Sequence, residues 1–90
     1  MYILDFADVA KEGMAKLKRS EPAAFKKLGK LLIELAEHPL TGTGHPEQLT
    51  GDLSGKMSRH ITHKHRLIYS VKEEIVTVYV LSTYGHYKDK

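Results

Sequence analysis

The residues best suited to chemistry in this 90-residue chain lie in and around GKMSRHITHKHRLIY, Gly55 to Tyr69. That stretch holds two arginines, two lysines and three histidines. Glu47 lies just upstream in HPEQL, and His86 and Tyr87 follow in the terminal cluster YGHYK. One carboxylate, several fixed cations and an imidazole are the parts needed to cut RNA through its own 2′-hydroxyl. The chemistry is a proton removed from that hydroxyl, attack on the adjacent phosphorus, and a proton given to the departing 5′-oxygen. A carboxylate is a natural base, an imidazole titrates near neutrality, and a guanidinium fork matches phosphate oxygens.

Composition narrows the alternatives. The formal charge is +3, and Lys56, Arg59, Lys64, Arg66 and Lys72 occupy a stretch with no acid. A basic C-terminal half favours a polyanionic partner, most often nucleic acid. The chain has no cysteine, which excludes disulfide staples and thiolate metal sites. His60, His63 and His65 form H-x-x-H-x-H, but on a strand the first faces away from the other two, and no cysteine or carboxylate cluster completes a shell. No metal and no cofactor are therefore expected. The opening MYILDFAD has acids and no basic stretch before an apolar run, so it does not read as a signal peptide. No apolar run approaches the roughly 18–20 residues of a membrane span. The expectation is a single domain over 1–90, cytoplasmic, with no membrane partner.

The elements that must position these residues follow from periodicity. Tyr2 to Phe6 reads as a strand. A helix begins near Ala7, with Val9, Ala10, Met14 and Leu17 at three- and four-residue steps. Gly13 weakens it by about 1 kcal/mol relative to alanine. Ser20-Glu21-Pro22 restarts the helix, since proline is tolerated in a first turn. Phe25, Leu28, Leu32 and Leu35 make one apolar stripe, with Leu31 and Ala36 beside it. The helix ends near Glu37, because His38 precedes proline. The segment PLTGTGHPEQLTGDLSG, with four glycines and two prolines, reads as a loop.

Three strands are predicted beyond it, over Lys56 to Ile61, His65 to Val71 and Ile75 to Leu81. The first alternates with Met57, Arg59 and Ile61 on one face. The second sets Leu67, Tyr69 and Val71 against Arg66, Ile68 and Ser70. Short connections make them antiparallel. The fold class is α+β: an N-terminal strand, a two-helix pair, then a three-stranded antiparallel meander with the helices on one face. The other face is free to gather Glu47, Arg59 or His60, Arg66 and His86.

At Pro39 to Tyr87 the motifs fall into a familiar order. P-x-x-G-x-G-x-P-E-x-L, then L-S-G-x-x-S-R-x-I, then H-R-L-x-Y, then H-Y resembles the Txe/YoeB family of bacterial toxins, within the RelE/ParE superfamily. The resemblance implies a toxin that cuts mRNA on the ribosome, a neutralising antitoxin of the YefM type, and a homodimer. Carried over residue by residue, the catalytic set falls on Glu47, Arg66, His86 and Tyr87, and Arg59 matches the first arginine of the S-R-R segment. Lys56, His60 and His63 join Arg59 as expected RNA- or phosphate-binding residues.

The sequence departs from the pattern in four places. His60 replaces the second arginine, Lys56-Met57 replace an aromatic pair, Thr50 replaces a lysine, and Lys88-Asp89-Lys90 extend past the H-Y. The assignment that follows is Glu47 as base and His86 as acid, with Arg66 and Arg59 on the phosphate and Tyr87 stacking on a base or holding the phosphate. Exchange of the two proton-transfer roles, or sharing with His60 or His63, stays open. The alternative is a non-catalytic ParE-like toxin that binds a target such as DNA gyrase; an inactive scaffold kept for regulating transcription is a third reading.

Overall fold

The computed structural model describes residues 1–44 and 46–85. In order, the chain forms β1 (Ile3–Phe6), α1 (Asp8–Ser20), α2 (Pro22–Glu37), β2 (Glu47–Gln48), β3 (Met57–His60), β4 (Arg66–Lys72) and β5 (Thr77–Ser82). The strands make one five-stranded sheet in the order β1-β5-β4-β3-β2. The expected meander is its centre. β1 extends it by pairing parallel to β5, and β2 extends it at the opposite edge, antiparallel to β3. The stretch read as a loop from Pro39 to Gly55 therefore supplies a short edge strand, followed by a 3-10 turn at Gly51–Leu53.

The helix boundaries follow local chemistry. Pro22 occupies the first turn of α2, where its missing N–H costs nothing, and Glu21 stands at the N-cap. His38, in front of Pro39, is turned out of the helical region and closes α2 through its N–H to the Glu34 carbonyl at 2.7 Å. The third predicted strand starts two residues late, because Glu73–Ile75 form a 3-10 turn and Val76 adopts a left-handed φ of 49° to reverse the chain.

The helix pair covers one sheet face. Ala10, Leu17, Leu28, Leu31 and Leu35 interlock with Leu67, Tyr69, Val78 and Val80, all buried. The alternation expected for the second strand of the meander is the one observed, with Leu67, Tyr69 and Val71 turned to the helices. On α2 the fully buried positions are Ala24, Leu28, Leu31 and Leu35, while Phe25 and Leu32 flank them half-buried. No helix among the described residues is long and apolar enough to cross a membrane.

Gly13 has a packing role that helix propensity does not reveal. A Cβ there would sit 2.5 Å from Thr83 Oγ1 and 2.9 Å from Tyr84 Cβ. Thr83 is buried and its hydroxyl donates to the Ala10 carbonyl at 2.7 Å, so it cannot simply swing away. Gly13→Ala gains about 1 kcal/mol in propensity but incurs an overpacking cost of roughly 1–3 kcal/mol. The expected net result is a protein no more stable than its parent, and up to about 2 kcal/mol less stable, read by urea unfolding.

Candidate functional site

The face away from the helices carries the candidate site. Residues directly opposite in an antiparallel pair share a face, with Cβ atoms about 4.5–5.5 Å apart. Glu47 on β2 stands opposite Ser58 on β3, and Ser58 opposite Ile68 on β4. One step along, His60 stands opposite Arg66. Register alone thus places Glu47, Ser58, His60, Arg66 and Ile68 in one two-row patch. None of the five belongs to the core that the helices cover. Glu47 is exposed, and His60 and Arg66 are half-buried. Ser58 is buried, and its Oγ has no hydrogen-bond partner among the described residues. A register shift between Ile68 and Tyr69 lies beside this patch: Ile68 pairs with Ser82 but Tyr69 with Val80. Bulges of this kind twist strands and re-aim side chains next to active sites.

Arg66 is held from one side. Its Nη1 donates to the carbonyls of Thr62 at 2.9 Å and His63 at 3.0 Å, in the turn between β3 and β4. Among the described residues Nε and Nη2 donate to nothing. One corner of the fork is therefore anchored, which lowers the cost in side-chain order of gripping an anion. His63 itself is exposed in that turn. The Arg66 backbone N–H donates to the Gly85 carbonyl at 2.9 Å, which binds the start of β4 to the residue preceding His86 in the chain. His86 and Tyr87 lie outside the described residues. Lys56, one residue before β3, lines a groove of about 490 Å³ with Leu40, Leu49, Met57 and Val71 beside the edge strand.

Arg59 is a correction. It was expected on phosphate, yet its side chain is wholly buried on the helix side of the sheet. Nε donates to the Tyr69 hydroxyl at 3.0 Å, and Nη2 to the carbonyls of His38 at 2.6 Å and Thr41 at 2.7 Å. Nη1 meets Glu34 Oε1 at 3.3 Å and the Thr43 carbonyl at 3.4 Å. Tyr69 passes the network on to the Pro39 carbonyl at 3.1 Å, and Glu34 also accepts from the Thr43 N–H at 3.0 Å. Burial raises the Tyr69 phenol above its ordinary value, against the opposing influence of Arg59. The guanidinium thus gathers the carbonyls of the segment after α2, whose backbone has no ladder of its own to satisfy it. Gly44 completes the fit: its φ is 88°, a Cβ would come within 3.0 Å of the His60 carbonyl, and its own carbonyl accepts from the His60 N–H at 2.7 Å. Arg59 acts on the site by fixing the segment that leads to Glu47.

A mixed sheet backed on one side by a helical pair has close counterparts among solved structures. A YoeB/ParE toxin from Agrobacterium tumefaciens superposes with a TM-score of 0.87 at 28% identity, over 94% of this chain and 99% of that one. The YoeB dimer from Staphylococcus aureus superposes with a TM-score of 0.82 at 31% identity, over 96% and 98%. YoeB of the same organism in a heterotetrameric toxin–antitoxin complex with YefM gives a TM-score of 0.81 at 31% identity, over 97% and 99%. These define the class as a toxin of the RelE/ParE superfamily.

Within that class, the YoeB-like toxin of bacterial type II toxin–antitoxin systems matches residues 6–87, and the chain belongs to this family. Toxin YoeB of Streptomyces coelicolor is 37% identical over 59 residues, 66% of this chain and 70% of that protein. Toxin YoeB of Escherichia coli K12 is 40% identical over 53 residues, 59% of this chain and 63% of that protein.

Proposed function

We propose that this toxin, acting as one domain over residues 1–90 in the cytoplasm, is an endoribonuclease that cuts mRNA on the ribosome and so stops translation. The observation that carries this reading is the shared sheet face away from the helices. Glu47 and Arg66 lie within one strand of each other there, and Arg66 is bonded through its backbone to the residue before His86. Glu47 takes the 2′-hydroxyl proton and His86 protonates the leaving 5′-oxygen. Each transfer contributes typically about 10²–10⁴ in rate. Arg66 stabilises the charge that gathers on the non-bridging oxygens, where a fixed donor costs no reorganisation. Tyr87 holds the phosphate or stacks on a base, and Lys56, His60 and His63 bind the flanking strand. RNA supplies the nucleophile, so the assigned steps need only proton transfers and fixed charge. The expected ends are a 2′,3′-cyclic phosphate or a 3′-phosphate, and DNA is left intact.

The partners follow from the family. The S. aureus structures of a YoeB dimer and of a YoeB–YefM complex support a homodimer neutralised by a YefM-type antitoxin. The test is to express the chain without antitoxin and map RNA 5′ ends. Cuts confined to translated frames are the expected result. Growth arrest with intact mRNA and inhibited gyrase would favour the ParE-like reading instead.

A further inference from the structure

A groove of about 470 Å³ runs between α2 and the segment after it, and three lysines line it. Lys26, Lys27 and Lys30 are exposed, and Thr43 joins them from that segment. Lys26 and Lys30 are four residues apart on the helix and Lys27 and Lys30 three apart, so each pair has Cβ atoms about 5–6 Å apart. Like charges at these spacings repel and weaken a helix. The repulsion is not relieved from within: none of the three lysines makes an ion pair or hydrogen bond among the described residues.

The acid in the groove lining, Glu34, is already engaged. It stands four residues after Lys30, the spacing at which a helix forms an ion pair. Yet its Oε1 accepts from Arg59 Nη1 at 3.3 Å and from the Thr43 N–H at 3.0 Å, and its Oε2 accepts from the Thr43 hydroxyl at 3.2 Å. Its charge is turned to the buried guanidinium, and the lysines keep theirs for a partner.

Phosphate suits this groove better than a folded protein surface does. A protein partner seats apolar or aromatic anchors in well-packed pockets. Here the apolar lining is Ala23 and Leu31, and Leu31 is only 2% exposed. Lysine binds phosphate as a point charge on a flexible stem. The groove also lies on the helix side of the sheet, whereas Glu47 and Arg66 lie on the other face. A strand held by Arg66 for cutting is therefore not the strand that meets the lysines. The two places are joined through the backbone: Thr43 precedes Gly44, whose carbonyl accepts from the His60 N–H at 2.7 Å.

We propose that the lysine groove docks the phosphate backbone of ribosomal RNA, so that the toxin grips the ribosome through a strand it does not cut. This rests on the ribosomal part of the reading above. Equilibrium binding to mRNA-free ribosomes over a series of salt concentrations tests it. The groove variant carries Lys26→Gln, Lys27→Gln and Lys30→Gln, which keep good helix formers on α2. The control variant loses three exposed charges on α1 instead, by Lys11→Gln, Lys18→Gln and Arg19→Gln. Each phosphate contact contributes about 0.7–0.9 to the slope of log affinity against log salt. The groove variant's slope is expected to be shallower than the parent's by about 2–3, and the control's by less than about 1. On translating ribosomes the groove variant should raise KM and leave kcat within about twofold, because docking holds ground state and transition state alike.

An unchanged slope and affinity in the groove variant would overturn the docking surface. So would an equal loss in the control, which net charge produces and a groove does not. If the groove variant keeps parental affinity for ribosomes but loses it for poly-L-glutamate, the groove takes an acidic protein segment and the RNA assignment is wrong. The nuclease reading fails separately: a parent that binds ribosomes with the steeper slope and leaves mRNA uncut keeps the docking surface and loses the chemistry.

Discussion

Arg59→Met is expected to unfold at a much lower temperature than its parent, by roughly 12 °C or more. The methionine fills most of the volume but leaves the carbonyls of His38, Thr41 and Thr43 without the guanidinium donor, and takes one of its donors from the Glu34 carboxylate. A buried acceptor left without its donor costs about 1–3 kcal/mol, and three backbone carbonyls lose theirs, a total of roughly 3 kcal/mol or more. Each kcal/mol moves the midpoint of a domain this size by about 4–8 °C. Arg59→Lys should fall between the two, since an ammonium keeps the charge but cannot reproduce a fork that reaches five acceptors. Circular dichroism melts measure the effect directly. The contrary result, reduced cleavage with an unchanged midpoint, would return Arg59 to the RNA-binding role first expected of it.

The reason that role was expected shows how sequence and fold diverge. Alternation had already grouped Arg59 with Met57 and Ile61, and both of those are core residues. The pattern was correct and the charge misled: an arginine on an apolar face reads as a surface cation unless its acceptors are known. Apart from Tyr69, those acceptors come from α2 and the segment after it, more than fifteen residues away, and no local period records them. The same holds for His65, whose H-x-H spacing says which way it faces but not that Glu21, 44 residues upstream, and Gly85, 20 residues downstream, satisfy it.

The long elements were legible because burial imposes a period on them. β4 sets Leu67, Tyr69 and Val71 toward the helices, with Ile68 buried on the opposite face, and α2 keeps its apolar stripe over sixteen residues. β2 has only two residues, too few to show any alternation, so a glycine-rich loop was the natural reading of it. The pairing of β1 with β5 was invisible for another reason. A strand announces its hydrophobicity locally, but its neighbour is chosen by how the intervening helices pack. Strand polarity predicts one sheet face without helices, and the register sets Glu47 and Arg66 on it beside the buried Ser58 and Ile68.

Glu47→Gln is the change that bears most directly on the chemistry. The amide preserves shape and an acceptor oxygen, and it removes only the ability to take a proton. Loss of a positioned base should lower the cleavage rate on translating ribosomes by about 10²–10⁴, which corresponds to roughly 3–5 kcal/mol of barrier. Stability should move by no more than about 0.5 kcal/mol, because Glu47 is exposed on a two-residue edge strand. Arg59→Met and Glu47→Gln thus make a matched pair, one expected to change the midpoint and the other the rate. Parental cleavage by Glu47→Gln would move the base elsewhere on the same face. His60, directly across from Arg66, and His63, in the turn that anchors its guanidinium, are the groups to replace next, singly and with Glu47. If cleavage survives all three replacements, the proton is not taken by any side chain on this part of the sheet, and acid–base catalysis centred on that sheet face is wrong.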